Sequence, residues 1–188
     1  MPNDTRTRMI EATVEALRHR GVAGMSFTDV LRSSGAARGA IYHHFPGGKA
    51  QLVAEAATRN GHDVRAHFAE LQADSPQSVV DAFLAAVRPV VQASAAGGGC
   101  AVAAIAVGAD PDDDGLREVA ATAFASWVSQ LAERLTTAGL APGDATDLAA
   151  TLITLLEGAH VLCRAAGTIE PFDQAARAAA ALIHNRYE

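Results

Sequence analysis

Cysteine is nearly absent from this chain: Cys100 and Cys163 are the only two in 188 residues. They lie far apart without metal spacing, which excludes a disulfide framework and predicts two reduced, buried, small side chains. Aromatic residues are also scarce, at 5% of the chain, whereas 49% is apolar and alanine is abundant. Such a composition buries a core through closely packed helices rather than through a sandwich or a barrel. There is no signal-peptide pattern and no run of about 18 uninterrupted apolar residues, which predicts a cytoplasmic protein without a membrane partner. Enzyme signatures are missing too: no nucleophile elbow, phosphate loop or dinucleotide glycine motif occurs. His43 and His44 are adjacent, so on a helix their side chains diverge and cannot share one metal as an i, i+4 pair would. No catalytic residue, metal or cofactor is expected.

What is present is concentrated in Ser26–Lys49, SFTDVLRSSGAARGAIYHHFPGGK. Ser26 or Thr28 can cap a first helix whose Phe27, Val30 and Leu31 share one face. Gly35 ends it by supplying the positive φ that a sharp helix-to-helix turn needs. A second helix is predicted from about Ala37 to His44, turning Ile41 and Phe45 inward at i, i+4. Its other face carries Arg38, Gly39, Ala40, Tyr42, His43 and His44. Such a helix fits a major groove and offers guanidinium, phenol and imidazole groups with no carboxylate to repel phosphate. The pattern reads as a helix-turn-helix, the plainer alternative being a helical hairpin with a solvated polar face.

The run Gly39-Ala40-Ile41-Tyr42-His43-His44-Phe45-Pro46-Gly47-Gly48-Lys49 resembles the recognition-helix signature of the tetracycline-repressor (TetR) family of bacterial transcription regulators. The doubled glycine before Lys49, and Gly99-Cys100 followed by Val102-Ala103-Ala104, are similar to its LmrA/YxaF-like subgroup. Residues 5 to 60 carry the strong part of the likeness; beyond them it lies in length and helical character. The resemblance implies an all-α fold: an N-terminal three-helix helix-turn-helix DNA-binding domain, residues 1–49, and a helical effector-binding and dimerisation domain, residues 50–188. It also implies Tyr42 as a phosphate anchor, a dimer built on the last two long helices, and a small, largely apolar effector that releases the protein from DNA. A small hydroxyl residue is usual in the family where Ala37 stands, so one backbone contact is in doubt.

Net charge is −6, which at first opposes a nucleic-acid partner. The charge is divided, however. Residues 1–49 hold Arg6, Arg8, Arg18, Arg20, Arg32, Arg38 and Lys49 against Asp4, Glu11, Glu15 and Asp29, a balance of +3, and the remainder carries −9. A basic head binds phosphate locally while an acidic body limits nonspecific adhesion.

Along the chain, Asp4 or Thr5 caps a bracing helix from Arg6 to about Arg20, with Met9, Ile10, Val14 and Leu17 inward and Gly21 as its stop. Arg6 and Arg8 either reach phosphates or are simply solvated. Lys49 opens a helix to about Ala73, where an ammonium beside free backbone N–H groups suits a phosphate oxygen. A helix from about Gln77 to Ala95 contains Pro89, expected to kink it. CAVAAIAVGA reads as a short buried helix. Asp110-Pro111-Asp112-Asp113-Asp114-Gly115 imitates a calcium loop, but position 12 is Ala121 where glutamate is required, so these acids read as the cap of a helix to about Ala138. Helices from about Pro142 to Ala166 and Phe172 to Arg186 are alanine-rich on more than one face, which points to a partner subunit. Two-fold symmetry then matches a palindromic operator in double-stranded DNA.

Effector contacts are sought among polar or aromatic residues on otherwise apolar helices: Phe83, Arg88, Trp127, Glu157, His160 and Cys163. Glu157 and His160 share a helix face and can serve a ligand, each other or a partner subunit. A thiol- or metal-responsive sensor using Cys100, Cys163 and His160, and a helical small-molecule-binding protein or enzyme without DNA function, remain as alternatives. The expected reading is a homodimeric repressor, with Thr28 and Lys49 on phosphates and Arg38 reading guanine through a bidentate pair. Arg38→Ala is therefore expected to relax specificity at one operator position. Lys49→Ala should weaken all sites about equally and lower the salt slope by roughly 1. Equal, uniform losses in binding titrations of both variants would refute that division of roles.

Overall fold

A computed structural model describes residues 4–109 and 114–187, with side chains through Ile183. The described residues form helices α1 (Thr5–Gly24), α2 (Phe27–Ser34), α3 (Ala40–His44), α4 (Gly48–Ala69), α5 (Pro76–Ala95), α6 (Ala101–Gly108), α7 (Asp114–Thr137), α8 (Pro142–Ala166) and α9 (Glu170–Tyr187). None of these residues forms a strand, so the all-α expectation holds. The aspartates at 110, 112 and 113, read above as a cap, lie outside the described residues. Packing groups the chain into two compact units, one of residues up to His62 with Cys100–Ala123, the other of Asp63–Gly99 with Phe124 onward. The expected head, residues 1–49, falls within the first.

In the first unit, α1 packs on α2 and α6. Asp4 is the α1 cap, its carboxylate accepting from the Arg6 N–H at 2.6 Å. Gly21 breaks the helical path as expected, with φ 66° and ψ −175°, although a further turn continues to Gly24. Met9, Leu17, Met25, Val30, Ile41, Phe45, Leu52, Val53, Ala56, Val102 and Ile105 are buried. Val14 is only half-buried and Thr13 takes the inward place, its hydroxyl donating to the Met9 carbonyl at 2.8 Å. The polar group is tolerated because it is hydrogen-bonded within its own helix. α6 is not the wholly buried helix expected: Val107 is 89% exposed.

The second unit packs α5, α8 and α9 mutually. Ser75 and Ser78 form a reciprocal capping box at the start of α5. The helix continues past Pro89, which lies on its exposed side, where a lost backbone bond is open to water. By length and hydropathy α5 and α8 are each apolar enough to cross a membrane. Part of their apolar surface is packed inside, Val80, Phe83 and Val91 from α5 and Ala149, Leu152 and Cys163 from α8, whereas Val90, Val161 and Leu162 are exposed. α4 ends at Ala69, four residues earlier than expected, with the Leu71 N–H turned onto the Phe68 carbonyl at 3.3 Å.

Asp29 ties the helix-turn-helix to its brace. It accepts from the Ser26 hydroxyl at 2.8 Å and from Arg20 at 2.6 Å, and it pairs with Arg32. The Ser26 hydrogen bond, then the two guanidinium groups, hold its carboxyl below the ordinary value of 3.8, outweighing the opposing effect of burial. A depressed folded-state value means that the ionised group stabilises the fold above 3.8 and loses that contribution as pH falls through the lower folded value. Thermal midpoints of Asp29→Asn should therefore lie below wild type at neutral pH, with the gap closing under increasingly acid conditions. A gap independent of pH would refute this.

Candidate nucleic-acid interface and effector residues

The reading face is assembled by three local devices. Ser26, not Thr28, caps α2, its hydroxyl oxygen accepting from the Asp29 N–H at 3.2 Å. Gly35 ends α2 in the left-handed region at φ 67°. α3 is shorter than the expected 37–44 segment: Ala40 N–H donates to the Ala37 carbonyl at 2.9 Å, and helical bonding proper starts at Ala40. Gly39 has no side chain with which to cap the helix, so the entry is a bare turn. Arg38 and Gly39 consequently stand on the approach to α3 rather than on its flank.

Ile41 and Phe45 are fully buried, which turns Tyr42 and His43 outward. Tyr42 is 66% exposed, and its ring stands edge-on to Phe27 with centroids 6.2 Å apart, so the phenol is braced yet accessible. The His43 and His44 rings, expected to diverge, instead meet edge-on with centroids 4.9 Å apart. Thr28, Arg38, Gly39, His43 and Lys49 are exposed; Ala40 and His44 are half-buried. All eight candidates belong to the first unit.

Counting charges along the sequence overstated the freedom of the head's cations. Arg6 pairs with Glu55, Arg18 with Glu15 at 3.8 Å, and Arg20 and Arg32 both with Asp29. Arg8 donates to the Ser34 carbonyl at 3.0 Å and to the Thr5 hydroxyl at 3.3 Å. Arg6 and Arg8 are thus tied to neighbouring groups, although Arg6 remains exposed. Among the described residues, Arg6, Arg8, Arg18, Arg20 and Arg32 each have an ion-pair or hydrogen-bond partner, whereas Arg38 and Lys49 have neither. Glu55, beyond the stretch singled out in the sequence, is the partner that sequence reasoning missed; only its placement one turn after Gln51 hinted at a role.

The effector candidates do not form one group. Phe83 and Trp127 are buried in an aromatic cluster with Phe68, whose ring centroid lies 5.4 Å from Phe83 and 6.5 Å from Trp127; Phe124 adds a further ring 5.1 Å from Trp127. His160 is buried and hydrogen-bonded through Nδ1 to the Ser94 hydroxyl at 2.6 Å. Ser94 was overlooked, although Val80, Phe83, Val87 and Val91 lead to it along the inward stripe of α5. Eleven residues separate Phe83 from Ser94, about 16 Å along a helix, so the aromatic and polar clusters are distinct. Cys163 is buried one turn after His160, and Glu157 is half-buried one turn before it. Arg88 does not face the interior: it is exposed, with Nε and Nη2 donating to Asp173 at 3.2 and 3.0 Å. Its position beside Pro89, in the last turns of α5, places it on the outer face. Among the described residues no three His, Cys, Asp or Glu side chains gather as a metal site.

This geometry agrees with known proteins. Residues 9–56 match the family described as bacterial regulatory proteins, tetR family, and residues 76–178 match the C-terminal domain of LmrA/YxaF-like transcriptional regulators. An uncharacterised helix-turn-helix-type transcriptional regulator of Mycobacterium tuberculosis is 34% identical over 173 residues, covering 89% of this chain and 88% of that protein. A TetR regulator from Chloroflexus aurantiacus superposes with a TM-score of 0.79 at 28% identity, over 96% of this chain and 94% of that one. CifR, solved with a 26-base-pair operator duplex, shares the fold at TM-score 0.71 and 20% identity, over 100% and 99% of the two chains. The chain belongs to the TetR family, in its LmrA/YxaF-like branch, and is a helix-turn-helix DNA-binding transcriptional regulator rather than an enzyme.

Proposed function

We propose that this regulator is a cytoplasmic homodimeric repressor, with residues 1–49 reading a palindromic operator and residues 50–188 dimerising and binding a small, largely apolar effector. The observation that carries the DNA assignment is the freedom of Arg38 and Lys49, which flank the exposed Tyr42 and His43 while the other head cations are committed internally. Arg38 reads a guanine edge, and Tyr42, Thr28 and Lys49 hold phosphates. Gly39 and Ala40 let the backbone approach the bases, and His43 and His44 complete the surface. The aromatic cluster around Phe83 and Trp127 suits an apolar effector, and the Ser94–His160 pair, with Glu157 and Cys163 nearby on α8, is a separate candidate for polar contact.

The dimer face is argued from α8 and α9. Thr151, Thr154, Gly158, Val161 and Leu162 recur at helical spacing on the exposed side of α8, and Leu182 is exposed on α9. Val161 is 67%, Leu162 58% and Leu182 69% exposed, an apolar surface that a second copy would cover. A thiol-responsive regulator is the second reading. It rests on Cys100, half-buried, whose sulfur accepts from the Ala103 N–H at 3.4 Å at the start of α6. Insensitivity of DNA binding to oxidant and to chelator would remove it.

Selection from random duplex DNA tests the main reading. The wild-type chain should enrich a palindrome. Gly158→Glu introduces a charge where an added Cβ meets nothing within 4 Å beyond its neighbours and its own helix backbone. That variant should retain its helical circular dichroism, sediment as a monomer and fail to enrich the palindrome. Enrichment of the same palindrome by a monomeric variant, or none by a folded wild-type dimer, would overturn the proposal.

A further inference from the structure

Pro46, Gly47 and Gly48 form the turn between α3 and Lys49, and each glycine has its own physical reason. Gly48 has φ 68°, a left-handed conformation that suits glycine, and its N–H donates to the Phe45 carbonyl at 2.9 Å. Gly47 needs space instead: a Cβ there would lie 3.0 Å from the Gln51 Cβ and 3.1 Å from its Oε1. That space is occupied by a hydrogen bond from the Gly47 N–H to Gln51 Oε1 at 2.7 Å. Gln51 Nε2 donates in turn to Glu55 Oε1 at 2.9 Å, and Arg6 Nη2 donates to Glu55 Oε2. The Arg6 guanidinium also lies 5.3 Å from the centre of the Phe45 ring, at the end of α3.

We propose that Arg6, Gln51 and Glu55 are positioning residues for DNA recognition, forming a relay of fixed polarity that holds the Gly47 amide and so sets the α3–α4 turn. The reading rests on the DNA-binding role of the head. The donor and acceptor inventory allows the relay only one direction. The Gly47 N–H requires an acceptor, so the Gln51 carbonyl faces it and the amide NH₂ faces Glu55. Two donors then converge on position 55, from Gln51 and from Arg6, and a carboxylate satisfies both. An amide at 55 would turn its own NH₂ toward one of these donors. A carboxylate at 51 beside Glu55 would bring two anions together. Both ends of the relay matter to the reading face: Arg6 touches Phe45, the cap of α3, and Gly47 lies two residues before Lys49. The side chains are partly exposed, so the ties add little to stability. Their effect is expected in geometry, where small displacements of a reading helix cost affinity.

A polarity exchange tests this. The probe is the duplex enriched by the wild-type chain, titrated beside a duplex of scrambled sequence. Gln51→Glu and Glu55→Gln are each expected to lose about tenfold in affinity for the enriched duplex, some 1.4 kcal/mol, with smaller losses on the scrambled one. The double exchange restores the relay in reverse occupancy: the new carboxylate at 51 accepts from the Gly47 N–H and from the new amide at 55, whose carbonyl accepts from Arg6. Its affinity should return to within about threefold of wild type. Additive losses in the double variant would overturn the proposal, and so would a gain in affinity by Glu55→Gln. Bulk charge alone also returns the double exchange to the wild-type value, but through single effects of opposite sign, because Gln51→Glu adds a negative charge and Glu55→Gln removes one. Should a single variant unfold, amide exchange in the wild-type chain decides: the Gly47 N–H should be protected, and exchange at the rate of an open turn would overturn the relay. Failure of the wild-type chain to enrich any duplex would count against the function of the head, and is distinct from an unchanged affinity in the variants.

Discussion

Burial of Ile41 and Phe45 is the constraint on which the DNA-binding unit depends. α3 has five residues, far fewer than the roughly 12 to 15 that an isolated helix needs to persist in water. It therefore exists because the unit's core accepts those two side chains, with Met9, Leu17, Met25, Val30 and Leu52 also buried there. The same insertion turns Tyr42 and His43 outward. Reading face and core anchor are two sides of one short turn of helix, and neither can be altered without the other.

Electrostatics then acts by subtraction. Asp29 takes up Arg20 and Arg32, Glu55 takes up Arg6, and Arg8 is spent on the Ser34 carbonyl and the Thr5 hydroxyl. These contacts join α1 to α2 and α4, so the basic residues of the head mostly hold its helices in place. The cations left over sit at the two ends of α3: Arg38 before it and Lys49 after it. The head thus keeps Arg38 and Lys49 outside ion pairs beside α3, while its other cations are tied to neighbouring groups.

The second unit follows different physics. Its inward stripes are filled by Phe68, Phe83 and Trp127 at one place and by Ser94 with His160 at another. A buried hydroxyl and imidazole satisfy one another, which removes the cost of placing either alone among apolar side chains. On the outside of α8, small and apolar residues replace the charges that usually clothe a solvated helix. The exposed Val161 and Leu162 are cheap to cover and carry no charge that a partner would have to desolvate.

How much of this was legible in the sequence depended on range. Helical periodicity and the glycines at 21 and 35 act over a few residues, and each marked its element to within a turn or so. The α8 limits read from the sequence, about 142 to 166, are those of the structure, where Pro142 opens the helix and Gly167 ends it in the left-handed region. The run from Gly39 to Lys49 likewise carried enough local information to reveal the family. Long-range pairing was not legible. Arg6 with Glu55, Arg88 with Asp173, and Ser94 with His160 are separated by 49, 85 and 66 residues, and nothing local in a sequence pattern encodes which charged or polar groups will meet. The start of α3 was misjudged because Ala37 to Gly39 have helical character but no cap. The sequence by itself determined most helix limits and apolar faces, apart from the start of α3, the end of α4 and the inward place of Thr13, since those choices are settled by backbone sterics and nearby side chains. Only the tertiary structure decided which head cations are tied to other groups and which polar groups lie together in the core, because those outcomes depend on helices brought together from distant parts of the chain.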